Sequence, residues 1–295
     1  MKSRAAMSFA AVLLLLVGPG VAQSRVDRAS IDEAVISKLS TQFGIRFTVA
    51  KHLELTQLFQ TKSQWSLVIA KQPDEESSFE DGGGRKVGAV SFCFVKNGVP
   101  DCSEERFLAK YREVNVSFVA GEPAFHELLA SGIVFSGPGR RLPVLQIQVC
   151  PYVGANGNCG VSTFLFAYDR NAEKFRVVFF NMTGRNNNEE TRFVENGPLL
   201  GSVIVAKPTS RAPYVYLVDV YRRVSNRDYV LALQFRSKTR QGDGNPLAVI
   251  DSEMPEILRR FGFWKTGDAL PVPPSMPEGC KGLVIRQGLV WCESQ

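Results

Sequence analysis

Histidine is the first scarcity: 295 residues hold only two. His52 alternates with Glu54 on one face of a strand, and His126 stands beside Glu127. A general base needs a positioned partner and a nucleophile, and neither residue has a local pattern that supplies them. Both read as surface or structural side chains. So little imidazole, together with cysteine spacings unlike Cys-x-x-Cys, leaves a structural zinc site poorly provided for. No Gly-x-Ser-x-Gly elbow and no His-Glu-x-x-His pair is present. The residues therefore imply no cofactor and name no catalytic set.

Other absences narrow the class. Past the N-terminus, no apolar run approaches the ~20 residues of a spanning helix, so a soluble chain without a transmembrane anchor is expected. Charge of one sign is also thin. The formal net charge of +6 falls to +4 without Lys2 and Arg4. That is little reason to invoke nucleic acid, although it tilts the surface toward anionic envelope components.

What is present begins with a leader. Two positive charges in Met1 to Arg4, an apolar stretch from Ala10 to Val17 and the small residues Gly20-Val21-Ala22 have the form of a secretory signal peptide over 1–22. The expected location is the periplasm or the exterior. All six cysteines follow it, in the local couples Cys93/Cys102, Cys150/Cys159 and Cys280/Cys292. An oxidising compartment permits three disulfides, and an internal repeat favours this pairing among the fifteen possible.

The repeat is visible at one offset. Val87 to Cys93, Cys102 and Phe107 to Tyr111 reappear 57 residues later as Val144 to Cys150, Cys159 and Phe164 to Tyr168. Val90 and Phe92 should share one strand side, as should Ile147 and Val149. The charged run Ser103-Glu104-Glu105-Arg106 departs from the pattern and admits a helical return segment in the first copy. A third version without cysteines runs through Ser202–Lys207, Tyr214–Tyr221 and Tyr229–Phe235. Phe59, Tyr111, Tyr168 and Tyr221 then recur at spacings of 52, 57 and 53 residues. Four-stranded antiparallel meanders in a propeller-like array fit this spacing, and a β-sandwich is the alternative.

Around that β region, 23–267, lie further elements. Ser30-Ile-Asp-Glu33 resembles a capping box, and Ile31, Val35, Leu39 and Phe43 form a helical stripe ending at Gly44. Residues 52–59 and 65–70 read as a hairpin, 72–86 as a polar glycine-rich surface loop, 114–119 as a strand and 123–131 as a short helix. Gly137 to Arg141 should break the chain before the second copy. Asp251 to Gly262 reads as a helix with Pro255 near its start. A proline-rich linker, 268–279, precedes a disulfide-closed hairpin over 280–295.

Candidate chemistry is sparse. Glu75/Glu76 and Glu189/Glu190 read as solvated loop doublets. Asp243 and Asn245 with Asp251 nearby fall short of a calcium loop, and Gly154, Gly157 and Gly160 lack the helix that a phosphate cradle opens. Asn115 and Asn181 match the glycosylation pattern but count only in a eukaryote. Arg211, Tyr214 and Tyr216 are binding candidates, since exposed tyrosines beside an arginine stack sugars or peptides. The composition points to a non-enzymatic exported scaffold that binds a protein or glycan of the envelope. A hydrolase of envelope or extracellular polymer, built from carboxylates on separate loops, is the alternative.

Overall fold

Alternating apolar runs pair wherever their turns permit, and the described residues are mainly β, 46% strand and 18% helix. A computed structural model describes residues 27–76, 85–86, 88–114, 122–136, 142–151, 159–184, 189–224 and 228–293. The leader, the 115–119 strand, the Gly137–Arg141 break, most of the 72–86 loop and the Gly154/Gly157 loop fall outside these residues.

Helix α1 (Arg28–Phe43) buries Ile31, Val35 and Leu39 and stops at Gly44, whose φ of 68° is the left-handed conformation glycine tolerates. Its start corrects the capping-box reading. Asp27 is the N-cap residue, with no side-chain cap bond, and Ser30 already lies inside the helix.

The first sheet joins β1 (Thr48–Glu54), β2 (Trp65–Lys71), β5 (Val90–Lys96) and β6 (Val99–Asp101) in that order, all antiparallel. A small ribbon of β3 (Glu75–Glu76) and β4 (Arg85–Lys86) interrupts it. The hairpin expected over 52–70 is shorter than its apolar run. Thr56–Phe59 forms a helical turn, α2, because Leu55 and Phe59, four apart, are buried in one cluster. Asn97 and Gly98, with φ of 50° and 80°, give β5–β6 its two-residue turn.

The second sheet is a meander of β7 (Glu127–Ser136), β8 (Leu142–Cys150), β9 (Val161–Asp169) and β10 (Lys174–Thr183). The 123–131 helix is thereby overturned. β7 pairs with β8 along its whole length, with a register shift at Leu128/Ala130, so cross-strand pairing outweighs the helix signals of Pro123 near the start and Gly132 just past the end. The third sheet is another meander, β11 (Glu190–Phe193), β12 (Val203–Pro208), β13 (Val215–Arg223) and β14 (Tyr229–Arg240).

These sheets stack in chain order, and alternation explains how. In β9, Phe164 and Phe166 face the first sheet's Leu67, Ile69, Phe92 and Phe94, whereas Leu165 and Ala167 face the third sheet's Val203 and Val205. In β12, Ile204 and Ala206 face α4 (Val249–Arg260). The far side of the first sheet, Val68, Ala70, Cys93 and Val95, is covered by α1. Strands so buried on both faces read as continuous apolar runs. Helix α3 (Glu105–Glu113) fits between the first two sheets, and Phe107 and Tyr111 pack on Phe164 at centroid distances of 5.1 and 5.6 Å.

The return segment of the first cysteine copy is therefore helical, as its charged run permits. The two copies also differ in place. Cys93 lies on the third strand of its sheet and Cys150 ends the second strand of its own, so the shared offset is a coincidence of hairpin pattern. The pairings themselves are as expected: Cys93–Cys102, Cys150–Cys159 and Cys280–Cys292. Val90 and Phe92 share a side, as do Ile147 and Val149, and both pairs enter one core cluster.

Helix α4 begins two residues earlier than its acidic turn suggested, at Val249, which places Pro255 inside it. After α4, segment 268–279 has neither helix nor strand. The terminal hairpin β15 (Gly282–Arg286) and β16 (Leu289–Glu293) is fastened to the body, since the Val290 carbonyl accepts from Asn245 Nδ2 and Ser252 Oγ, both at 2.9 Å.

Candidate functional site

A cleft of about 690 Å³ opens between the edge strand β11, the connection after it, α4 and the proline-rich segment. Glu190 and Arg192 are two apart on β11, opposite Ala206 and Ile204, and so face α4. Thr191 and Phe193 face the other way, Thr191 accepting from Asn181 Nδ2 at 2.7 Å. Met254 and Leu258, four apart on α4, supply an apolar wall. Pro271, Val272, Pro273 and Pro274 supply the opposing one; Pro273 is buried, while Val272 is 76% exposed.

Charge in this lining comes from Glu190, Arg192 and Asp251, which meet at one place, and from the exposed Glu195 on the connection after β11. Arg192 Nη2 donates to Asp251 Oδ2 at 2.9 Å, Nη1 donates to Asp251 Oδ1, and Nε donates to Glu190 Oε1 at 2.5 Å. Burial opposes the guanidinium's charge, but its bonds to Asp251 and Glu190 prevail and hold it above its ordinary range. Burial pushes the Glu190 carboxyl up against the pull of Arg192, and the Asp251 charge adds to the rise. Glu190 Oε2 is buried without a hydrogen-bond partner. The arrangement joins the third sheet's edge to the first turn of α4, and it leaves the walls above it apolar.

The residues singled out from sequence are dispersed. Arg211 and Tyr214 are exposed on the β12–β13 loop, which contains a cis Ala212–Pro213 bond. Tyr216 does not join them. It is 1% exposed and packs in the core between the third sheet and α4, because it falls on the inward phase of β13. His52 sits between Asp32 and Glu54, with Nδ1 2.6 Å from Asp32 and Nε2 3.1 Å from Glu54, and ties α1 to β1. His126 is exposed at the start of β7.

Asp243 accepts from the Asn245 amide at 2.9 Å, while Asp251 belongs to Arg192, so the two have separate partners. Glu190 corrects the solvated-doublet reading, and Arg192 was missed altogether. Thr191 and Phe193, both strand formers, were the available signal for β11. Nothing local links Arg192 to an aspartate 59 residues away.

The chain matches no protein-family model, no curated protein and no solved structure. Three disulfides fasten the described residues, and among them no helix is long and apolar enough to cross a membrane.

Proposed function

We propose that this is an exported, non-enzymatic binding scaffold that takes a protein or glycan segment of the cell envelope into the cleft beneath the proline-rich strap. The observation that carries this reading is the engagement of Arg192 with both oxygens of Asp251 and one of Glu190. A polymer hydrolase needs one carboxyl to give a proton and a second free to act as base or nucleophile. Asp251 is committed to the guanidinium and Glu195 is exposed on the connection after β11, so the charged end of the cleft favours holding the two elements together over chemistry. Apolar walls with a few fixed polar groups suit binding.

A propeller-like description rests on three successive four-stranded antiparallel sheets packed face to face, each presenting the next with alternate residues. A periplasmic or extracellular location rests on the leader-like 1–22 and the three disulfides.

Two experiments test this. N-terminal sequencing of the natural protein should find a start at Gln23; intact Met1 on a cytoplasmic protein overturns export. Titration calorimetry of the mature chain against short peptides and envelope oligosaccharides should find a ligand whose affinity falls roughly tenfold in Val272→Glu, the effect of burying one unmatched charge in an apolar contact. Cleavage of an oligosaccharide that stops in Glu190→Gln would instead establish the hydrolase.

A further inference from the structure

We propose a second binding surface, separate from the cleft, on the exposed half of the third sheet, and that its occupant is an acidic polysaccharide. Lys207 on β12 pairs with Leu217 on β13, which pairs with Arg236 on β14. Residues directly opposite in antiparallel strands share a face, so both cations stand on one side. Arg240 pairs with Val215, two residues before Leu217, and joins the same side. This is the side that packs on the second sheet through Val203 and Val205. Beyond that contact, Arg236 and Arg240 are exposed and Lys207 and Leu217 half-buried.

The β12–β13 loop lies at the end of this row. The Gln241 amide donates to the Tyr214 carbonyl at 3.1 Å, which sets Tyr214, 57% exposed, beside Arg240. Arg211 is exposed on the same loop. Among the described residues, Lys207, Arg211, Arg236 and Arg240 make no ion pair. Two neighbouring carboxylates are hydrogen-bonded within the sheet and its turn. Asp219 is buried and accepts from Gln234 at 2.8 Å, and Asp243 accepts from the Arg240 and Asn245 amides.

Spacing decides the kind of anion. Arg236 and Arg240 pair across a bulge with residues only two apart on β13, on the order of 7 Å, and Lys207 is two strands away, about 10 Å. Four cations spread over β12, β14 and the adjoining loop carry more positive charge than one phosphate or carboxylate neutralises. They match charges recurring along a chain, and the exposed Tyr214 ring offers a sugar a stacking face.

The test uses the mature chain with oligogalacturonate, a polyuronate, and with neutral dextran. Binding to the polyuronate alone is expected, weakened by added salt. Arg236→Gln with Arg240→Gln should weaken it roughly tenfold, since two lost contacts of surface ion-pair size multiply. Lys174→Gln with Lys265→Gln removes the same charge from exposed positions elsewhere and should change it less than about twofold. Equal losses in the two double variants, no polyuronate binding at low salt, or preferential binding to phosphatidylglycerol vesicles overturns the proposal.

Discussion

Glu104, at the entrance to α3, is 8% exposed and accepts from Ser91 Oγ and from the Ala124 amide, both at 3.2 Å. Burial dominates these bonds and raises its carboxyl from 4.5 to about 7. The folded state then holds a proton that the unfolded state has released between those values. Stability from this group is full below pH 4.5 and is lost as pH rises through about 7. The unfolding free energy from urea melts should therefore fall across that window by an amount on the order of 3 kcal/mol, and Glu104→Gln should flatten the slope. An unchanged slope in the variant would assign the pH dependence elsewhere. Arg192 presents the opposite case. Arg192→Met leaves two carboxylates without their cation and should destabilise by roughly 3–5 kcal/mol. Adding Glu190→Gln and Asp251→Asn should recover much of that loss in denaturant melts.

At the scale of elements, α3 shows what local pattern could and could not convey. Its sequence, Glu105 to Glu113, has an acidic first turn and basic last turn, the charge order that suits a helix dipole. Phe107 and Tyr111 keep a spacing of four, yet their likeness to Phe164 and Tyr168 drew the segment toward a strand. The third dimension decides it: Phe107 contacts the rings of Phe92, Phe125, Phe164 and Phe166, a gap between two sheets that a helix fills. Phe107→Ala should cost about 3–5 kcal/mol, measurable as a drop in urea midpoint. A loss below about 1 kcal/mol would mean that the wedge collapses without harm.

Strands with unbroken apolar runs, such as β2, β9 and β12, were legible because burial on both faces writes itself into composition. β7 and β11 were not. Their strand identity rests on partners, β8 for one and β12 for the other, and their own residues carry mixed signals. The charged centre of the cleft was illegible for the same reason, since Glu190, Arg192 and Asp251 come from two elements with three strands between them. The anchors Tyr168 and Tyr221 fared better. Each sits near the end of a third strand and turns toward the preceding sheet, Tyr168 onto Trp65 beside its own cross-strand partner Phe175, and Tyr221 onto Phe179.

For the whole molecule, the second sheet is the element on which the others depend. It meets the first sheet through Phe164 and Phe166 and the third through Leu165 and Ala167, whereas the outer sheets each turn one face to a single helix. Its inner strands β8 and β9 are also paired on both edges. Opening either outer sheet uncovers one face of these strands, but they themselves cannot exchange until both neighbours have moved. Local openings cost less free energy than global ones. Amide hydrogen exchange should therefore be slowest in β8 and β9, faster in β2, β5, β12 and β13, and faster still in the terminal β15–β16 hairpin. Phe166→Ala, which removes ring contacts to Phe94 and Phe107 at 5.4 and 5.2 Å, should lower protection in both the first and second sheets. If β12 and β13 outlast β8 and β9, the stack is held from its α4 end, and the central role of the second sheet fails.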